Sequence, residues 1–217
     1  MRSLNSVLVC EGPSDEWFLP VLLQRATHQL CLEHFPGGVD VGDVRVLAVD
    51  HQRPDDIARA VARESGAYDV LLYHHDGFPQ RTAAAKVDEV RRAIVEAGST
   101  ELFVPVVPVV ETEAWVLADP DALARVLSVP VARVRELLPR QPKQVEQQAD
   151  PKELLRLVMR SLVRRHRRAR PDGDSMERYF SELAEIIDLD RLRDVPAFAD
   201  WWKSMAEALI RLGFRYG

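Results

Sequence analysis

Short apolar runs and longer amphipathic stretches alternate along the first half of the chain. Val7 to Cys10 is apolar and β-branched-rich, and Gly12-Pro13 closes it, so it reads as a buried strand. Ser14 is placed to cap the helix that follows, with Asp15 and Glu16 in its first turn, where the positive end of the helix dipole favours acids. Trp17, Leu19, Val21, Leu22, Leu23, Ala26 and Leu30 then recur at helical spacing. Val44 to Val49 predicts a second strand ending at Asp50. Pro54 opens a helix whose inward face is Ile57, Ala58, Val61 and Ala62, and Gly66 closes it. Tyr68 to Tyr73 predicts a third strand, running into His74-His75-Asp76-Gly77. A third helix spans Thr82 to Ala97 and stops at Gly98. Leu102 to Val110 predicts a fourth strand, at an edge or bulged, because Pro105 and Pro108 cannot donate to a ladder.

This β-α-β-α-β-α-β order predicts an α/β fold: a mostly parallel four-stranded, Rossmann-like sheet with right-handed crossovers and helices on both faces, over residues 1–118. From Asp119 onward the strand pattern stops. Asp119-Pro120 and Asp150-Pro151 each read as an N-cap followed by proline at the first helical position. Helices are expected near 120–127, 130–138, 151–168, 174–187 and 196–212, with a loop over Pro139 to Ala149. Residues 119–217 thus form an all-helical C-terminal extension.

Composition narrows the function classes. The net charge of −5 argues against a protein that coats nucleic acid with its whole surface, though not against a local basic groove. Cys10 and Cys31 have no metal-like spacing, and a buried thiol is the natural reading for Cys10; a reducing, cytoplasmic compartment is expected. No apolar run approaches the roughly 18 residues that span a bilayer. The one strongly basic stretch lies between 150 and 170, with eight Lys and Arg against two acids. Lys152, Arg156, Arg160 and Arg164 fall four apart and form one helical ridge, continuing near Arg167 and Arg168. Leu154, Leu155, Val158 and Leu162 face elsewhere. The ridge suits a phosphate backbone; the plain reading is a solvated face paired with nearby acids.

The candidate chemistry collects where strands end, at the carboxyl lip of an open α/β sheet. Glu11 stands between a buried strand and Gly-Pro, with no obvious capping task. His74 and Asp76 are two apart and point the same way if the backbone stays extended, as do Glu111 and Glu113. With Asp15 these make up to five carboxylates that could converge, and such a cluster repels itself unless a cation resolves it. Mg²⁺ or Mn²⁺ suits oxygen ligands, whereas zinc would want Cys or more His at suitable spacing. Asp50 is a spare strand-end acid, and Asp119 reads as a cap.

The strings Cys10-Glu11-Gly12-Pro13-Ser14-Asp15-Glu16, His74-His75-Asp76-Gly77 and Val110-Glu111-Thr112-Glu113-Ala114-Trp115, taken in order, resemble TOPRIM-like proteins. The branch they look most like is a bacterial one related to the overcoming-lysogenization-defect nucleases. The resemblance covers about residues 5–120. It implies a metal-dependent nuclease in which Glu11 is a general acid/base or metal ligand, Asp76 is one acid of a metal-ligating pair and His74 stands in the other's place. From the strand-end cluster itself, Asp15 joins Glu11 as a catalytic candidate, and Glu111 and Glu113 as metal-ligating candidates that supply the missing charge. The resemblance also implies nucleic acid as partner, DNA before RNA, and an ATPase partner in phage defence or DNA repair. His74 departs from the family's acidic pair, and a neutral imidazole is a poorer Mg²⁺ ligand than a carboxylate. That departure keeps a second reading alive, a non-catalytic subunit docking on an ATPase. A phospho-receiver is disfavoured by the lack of a fifth strand with its lysine. A P-loop hydrolase and a dinucleotide enzyme are disfavoured by their missing glycine motifs.

Overall fold

A computed structural model describes residues 2–99, 101–163, 173–215 and 217. Four parallel strands, β1 (Arg2–Val9), β2 (Val39–Val46), β3 (Val70–His74) and β4 (Leu102–Val106), form one sheet in the order β2-β1-β3-β4. The crossovers are α1 (Pro13–His34), α2 (Pro54–Arg63) and α3 (Gln80–Glu96). The sheet is therefore the expected α/β one.

Strand periodicity sorts the side chains into two cores. Leu4, Leu8, Val70, Leu72, Val104 and Val106 face α1, while Val7, Val9, Leu71 and Tyr73 face α2 and α3. The two central strands are covered on both sides, which is why they read as unbroken apolar runs. The edge position of β4 explains its proline. Leu102 N–H donates to Asp69 O and Val106 O accepts from His75 N, so these residues face β3. Pro105, one out of phase, turns its missing N–H away from the ladder.

The remaining helices are α4 (Glu113–Val116), α5 (Pro120–Val126), α6 (Val131–Arg135), a 3-10 turn at Pro142–Gln147, α7 (Pro151–Val163), α8 (Gly173–Ile186), α9 (Leu189–Arg193) and α10 (Pro196–Arg211). They share the core on the α1 side of the sheet. Trp115 of α4 is fully buried and meets Phe198 of α10 edge-on at 5.3 Å, and Phe18 of α1 meets Phe180 of α8 at 6.1 Å. No helix among the described residues is long and apolar enough to cross a membrane.

Several local expectations are corrected. The N-cap of α1 is Gly12, not Ser14: Pro13 takes the first helical position, and Asp15 Oδ2 accepts from Gly12 N at 3.1 Å. The second strand is Val39–Val46 and runs through Gly42, where its register against β1 slips between Leu4 and Ser6. The third strand starts two residues later than expected and includes His74. The fourth stops at Val106 rather than Val110. Residues 139–149 contain a 3-10 turn, and α9 was not foreseen as a separate helix. The basic-ridge residues Arg164, Arg167 and Arg168 lie outside the described residues.

Asp119 is a cap, as its sequence context predicts, and it also ties two helices together. Its Oδ1 accepts from Asp121 N and Ala122 N at the start of α5, and its Oδ2 accepts from Asp188 N, at 2.9 Å, at the start of α9. Asp119→Ala strips this buried carboxylate from three N–H groups. A loss of about 2 kcal/mol is expected from urea unfolding midpoints.

Candidate functional site

Three strand exits and one helix start meet at the carboxyl lip of the sheet. The exit of β1 carries Glu11 and, in the first turn of α1, Asp15. The exit of β3 carries His75 and Asp76, and that of β4 leads to Glu111, Thr112 and Glu113. The N-terminus of α7 closes the fourth side with Lys152.

Backbone geometry sets how these groups present themselves. Thr112 is helical, at φ −58° and ψ −29°, so the segment is a turn into α4 rather than an extended strand end. Glu111 and Glu113 therefore do not share a side by alternation. Thr112 and Glu113 turn inward and are buried, while Glu111 stays half-buried. The exit of β3 packs backbone against backbone on the segment after β4. Gly77 N–H donates to Val110 O, and a Cβ on Gly77 would lie 1.9 Å from Pro108 O. Only glycine permits that approach, which sets Asp76 opposite Glu111 and Glu113.

At the centre, His74 is fully buried, and its Nε2 lies 2.9 Å from Thr112 Oγ1. The Thr112 hydroxyl also bonds to the Asp15 carboxylate. His74 Nδ1 has no hydrogen-bond partner and stands 3.7 Å from Asp15 Oδ2. Burial pushes the imidazole pKa down to about 3, so His74 is neutral at physiological pH. His74 Nε2 is also 3.6 Å from Asp76 Oδ1, so these two do meet, as their spacing predicts. Beside them, His75 Nδ1 lies 2.6 Å from Asp76 O and 3.5 Å from Glu11 Oε1. A carbonyl can only accept, so His75 Nδ1 carries the proton.

The electrostatics of the cluster centre on Asp76. Burial, then Glu11, Asp15, Glu113 and Glu111, raise its pKa from 3.8 to about 8. Burial also raises Asp15, opposed by the Thr112 hydroxyl, the Gly12 N–H and the charges of Lys152 and His51. Glu111 is raised by burial and by Glu113. Lys152 is the cation that answers these acids: its Nζ is 3.2 Å from Glu113 Oε1, and its backbone N–H donates to Glu111 Oε2 at 3.3 Å. Burial works to lower the Lys152 pKa, but Glu113, Glu111 and Asp76 outweigh it and the net direction is up. Cys10 is pushed far up, first by burial and then by Asp15, which leaves a thiol that is neither nucleophile nor ligand.

The candidates thus divide. Glu11, Asp15, His74, Asp76, Glu111 and Glu113 come together. Lys152, expected on an outward ridge, belongs to the acid cluster instead. Arg156 and Arg160 stay exposed on α7, each beside Glu153. Asp50 only closes a turn, accepting from Gln52 N, and Glu16 is exposed on the first turn of α1. Thr112 and His51 escaped the sequence reading as site residues. Glu146 did too; it is buried, accepts from Ala197 N and acts in packing rather than at the lip. Among the described residues, no three His, Cys, Asp or Glu side chains stand close enough to hold one metal ion. The donors are nonetheless the right kind for a hard cation. Mg²⁺ commonly takes one or two carboxylates and fills its octahedron with water and substrate phosphate.

Two outcomes follow. The folded protein keeps on Asp76 a proton that the unfolded chain has already lost, so stability falls as pH rises from about 4 through about 8. Asp76→Asn should flatten that slope, read as thermal midpoints across this range. Gly77→Ala should cost about 1–3 kcal/mol through the backbone clash, read by denaturant unfolding, and should pull Asp76 out of the cluster.

Comparison with curated proteins and with solved structures finds no match. A family described as a domain of unknown function, DUF4276, matches residues 10–206, a span that takes in every residue of the cluster from Glu11 to Lys152. The chain belongs to the DUF4276 family.

Proposed function

We propose that this protein is a metal-dependent phosphodiester-processing enzyme, a TOPRIM-like nuclease that acts on nucleic acid at the carboxyl lip of its sheet. The observation that carries the reading is the convergence of strand-end acids at one lip, with Glu11 beside His75, Asp76 beside the buried His74, and Glu113 and Glu111 on Lys152. Burial first, and then Glu11, Asp15, Glu113 and Glu111, raise the Asp76 carboxyl to about 8. A fold that only needed stability would gain from an amide at this position, because burying mutually repelling carboxylates is unfavourable. Crowding of this kind suits a site that spends part of its cycle around a divalent cation.

Glu11, Asp76 and either Glu113 or Glu111 are the residues that would hold Mg²⁺ or Mn²⁺. When bound, such an ion supplies charge stabilisation to a phosphodiester under attack. The chain's own groups divide the remaining work. Glu11, half-buried beside His75, is the base that accepts a proton at its carboxylate. Asp76 would hold such an ion as a carboxylate, without the proton that its surroundings favour. Lys152 remains an ammonium and keeps Glu113 in place. Asp15 is a positioning residue, since its buried carboxylate is spent on Gly12 N–H and Thr112. Arg156 and Arg160 supply an exposed phosphate grip, with DNA the first substrate to try. An ATPase partner, and a role in phage defence or DNA repair, belong to the same proposal.

One observation favours a second reading. His74, in the place where the family pattern has an acid, is fully buried and neutral, and so adds no charge to a cation site. A non-catalytic subunit that keeps the scaffold and docks on an ATPase would tolerate this. The test uses purified protein, plasmid and single-stranded circular DNA, with Mg²⁺ or Mn²⁺. Glu11→Gln and Asp76→Asn should each lower the cleavage rate about 100-fold or more. Cleavage that Glu11→Gln leaves unchanged argues for a contaminant. Co-purification with an ATPase, without metal-dependent cleavage and without calorimetric binding of either ion, supports the docking subunit over the enzyme.

A further inference from the structure

A groove of about 680 Å³ opens directly beside the acid cluster, between the start of α3 and α10. Gly77 and Val110 in its wall are the immediate neighbours of Asp76 and Glu111, so the groove and the cluster share two loops. Its volume lies within the roughly 300–1,000 Å³ of small-ligand sites. Phe78 lines it and is 71 % exposed, the one exposed aromatic side chain among the described residues; Val109, at 47 %, lies in the same wall. A phenyl ring left in water at the mouth of an apolar groove forgoes most of its hydrophobic gain and offers a face for stacking. The rims are acidic, with Asp88 on α3 and Asp200 on α10, the latter 3.4 Å from Lys203. Two carboxylates repel phosphate, but they can accept from the amino groups of a base.

We infer that this groove is a nucleobase subsite: it takes an unpaired base stacked on Phe78, while the adjoining phosphate lies over the acid cluster. The inference rests on the phosphodiester reading and narrows its substrate class. A base seated in the groove has left any duplex stack, at a cost that single strands largely avoid. The preferred substrate is therefore single-stranded nucleic acid.

The test separates the base from both phosphate charge and metal. A short, end-labelled oligodeoxycytidylate with an uncharged methylphosphonate backbone, whose bases each carry an amino group, is titrated with the full chain in EDTA, with the fluorescence anisotropy of the label as readout. Saturable binding is expected. Phe78→Ala should weaken it at least about fivefold, and Phe78→Trp should restore it. Phe78 is so exposed that neither change threatens the fold. Replacing one cytosine by an abasic residue at successive positions should abolish the Phe78 dependence at one of them. Lack of binding, or equal affinity in wild type and Phe78→Ala, overturns the subsite. Because no cleavage is measured, failure of the nuclease reading leaves this result standing, and the reverse holds too.

Discussion

Like-charge repulsion around Asp76 is the constraint on which the lip of this sheet depends. Burial and the carboxylates at the exits of β1, β3 and β4 together raise the Asp76 carboxyl well above its ordinary range. Two devices make the crowding tolerable. Lys152 and the first turn of α7 bring a cation and a backbone N–H to Glu113 and Glu111. The Thr112 hydroxyl and Gly12 N–H satisfy Asp15 without a full counter-charge. The C-terminal helices thus help to form the site as well as cover the sheet.

The scaffold packs the strand exits from both faces of the sheet. The central strands β1 and β3 are covered on both faces, so their carboxyl ends have little freedom. The backbone contact at Gly77 fixes the spacing between the exits of β3 and β4. Trp115 and Phe198 lock α4 and α10 together behind Glu113, which links the depth of the acid cluster to the packing of the tail.

Much of the fold was legible because its signals are local. The apolar runs at Val7, Tyr68 and Leu102, the helix closures at Gly66 and Gly98, and the proline in the edge strand each follow from backbone chemistry within a few residues. Boundaries were less legible. Pro13 and Asp15 recruit Gly12 as the cap where Ser14 looks the better candidate, and β2 begins in a glycine-bearing stretch that reads as loop. The convergence of Glu11, Asp76 and the Glu111–Glu113 segment was visible as a consequence of parallel topology. The role of Lys152 was not: its four-residue spacing with Arg156 and Arg160 describes a ridge. What turns it inward is the position of Pro151 at the start of α7, about forty residues along the chain from the acids it meets. Thr112 reads as the start of a helix with Trp115, Val116 and Leu117 as its apolar face, and α4 does begin there, but nothing in the sequence tells that its hydroxyl meets the buried His74.

Diffraction at the manganese edge from crystals grown with Mn²⁺ tests the central claim most directly. The account predicts an anomalous peak bounded by Glu11, Asp76 and Glu113, with those side chains drawn together and Lys152 shifted aside. A cluster that takes up no manganese, or a peak only at exposed acids away from the lip, contradicts it.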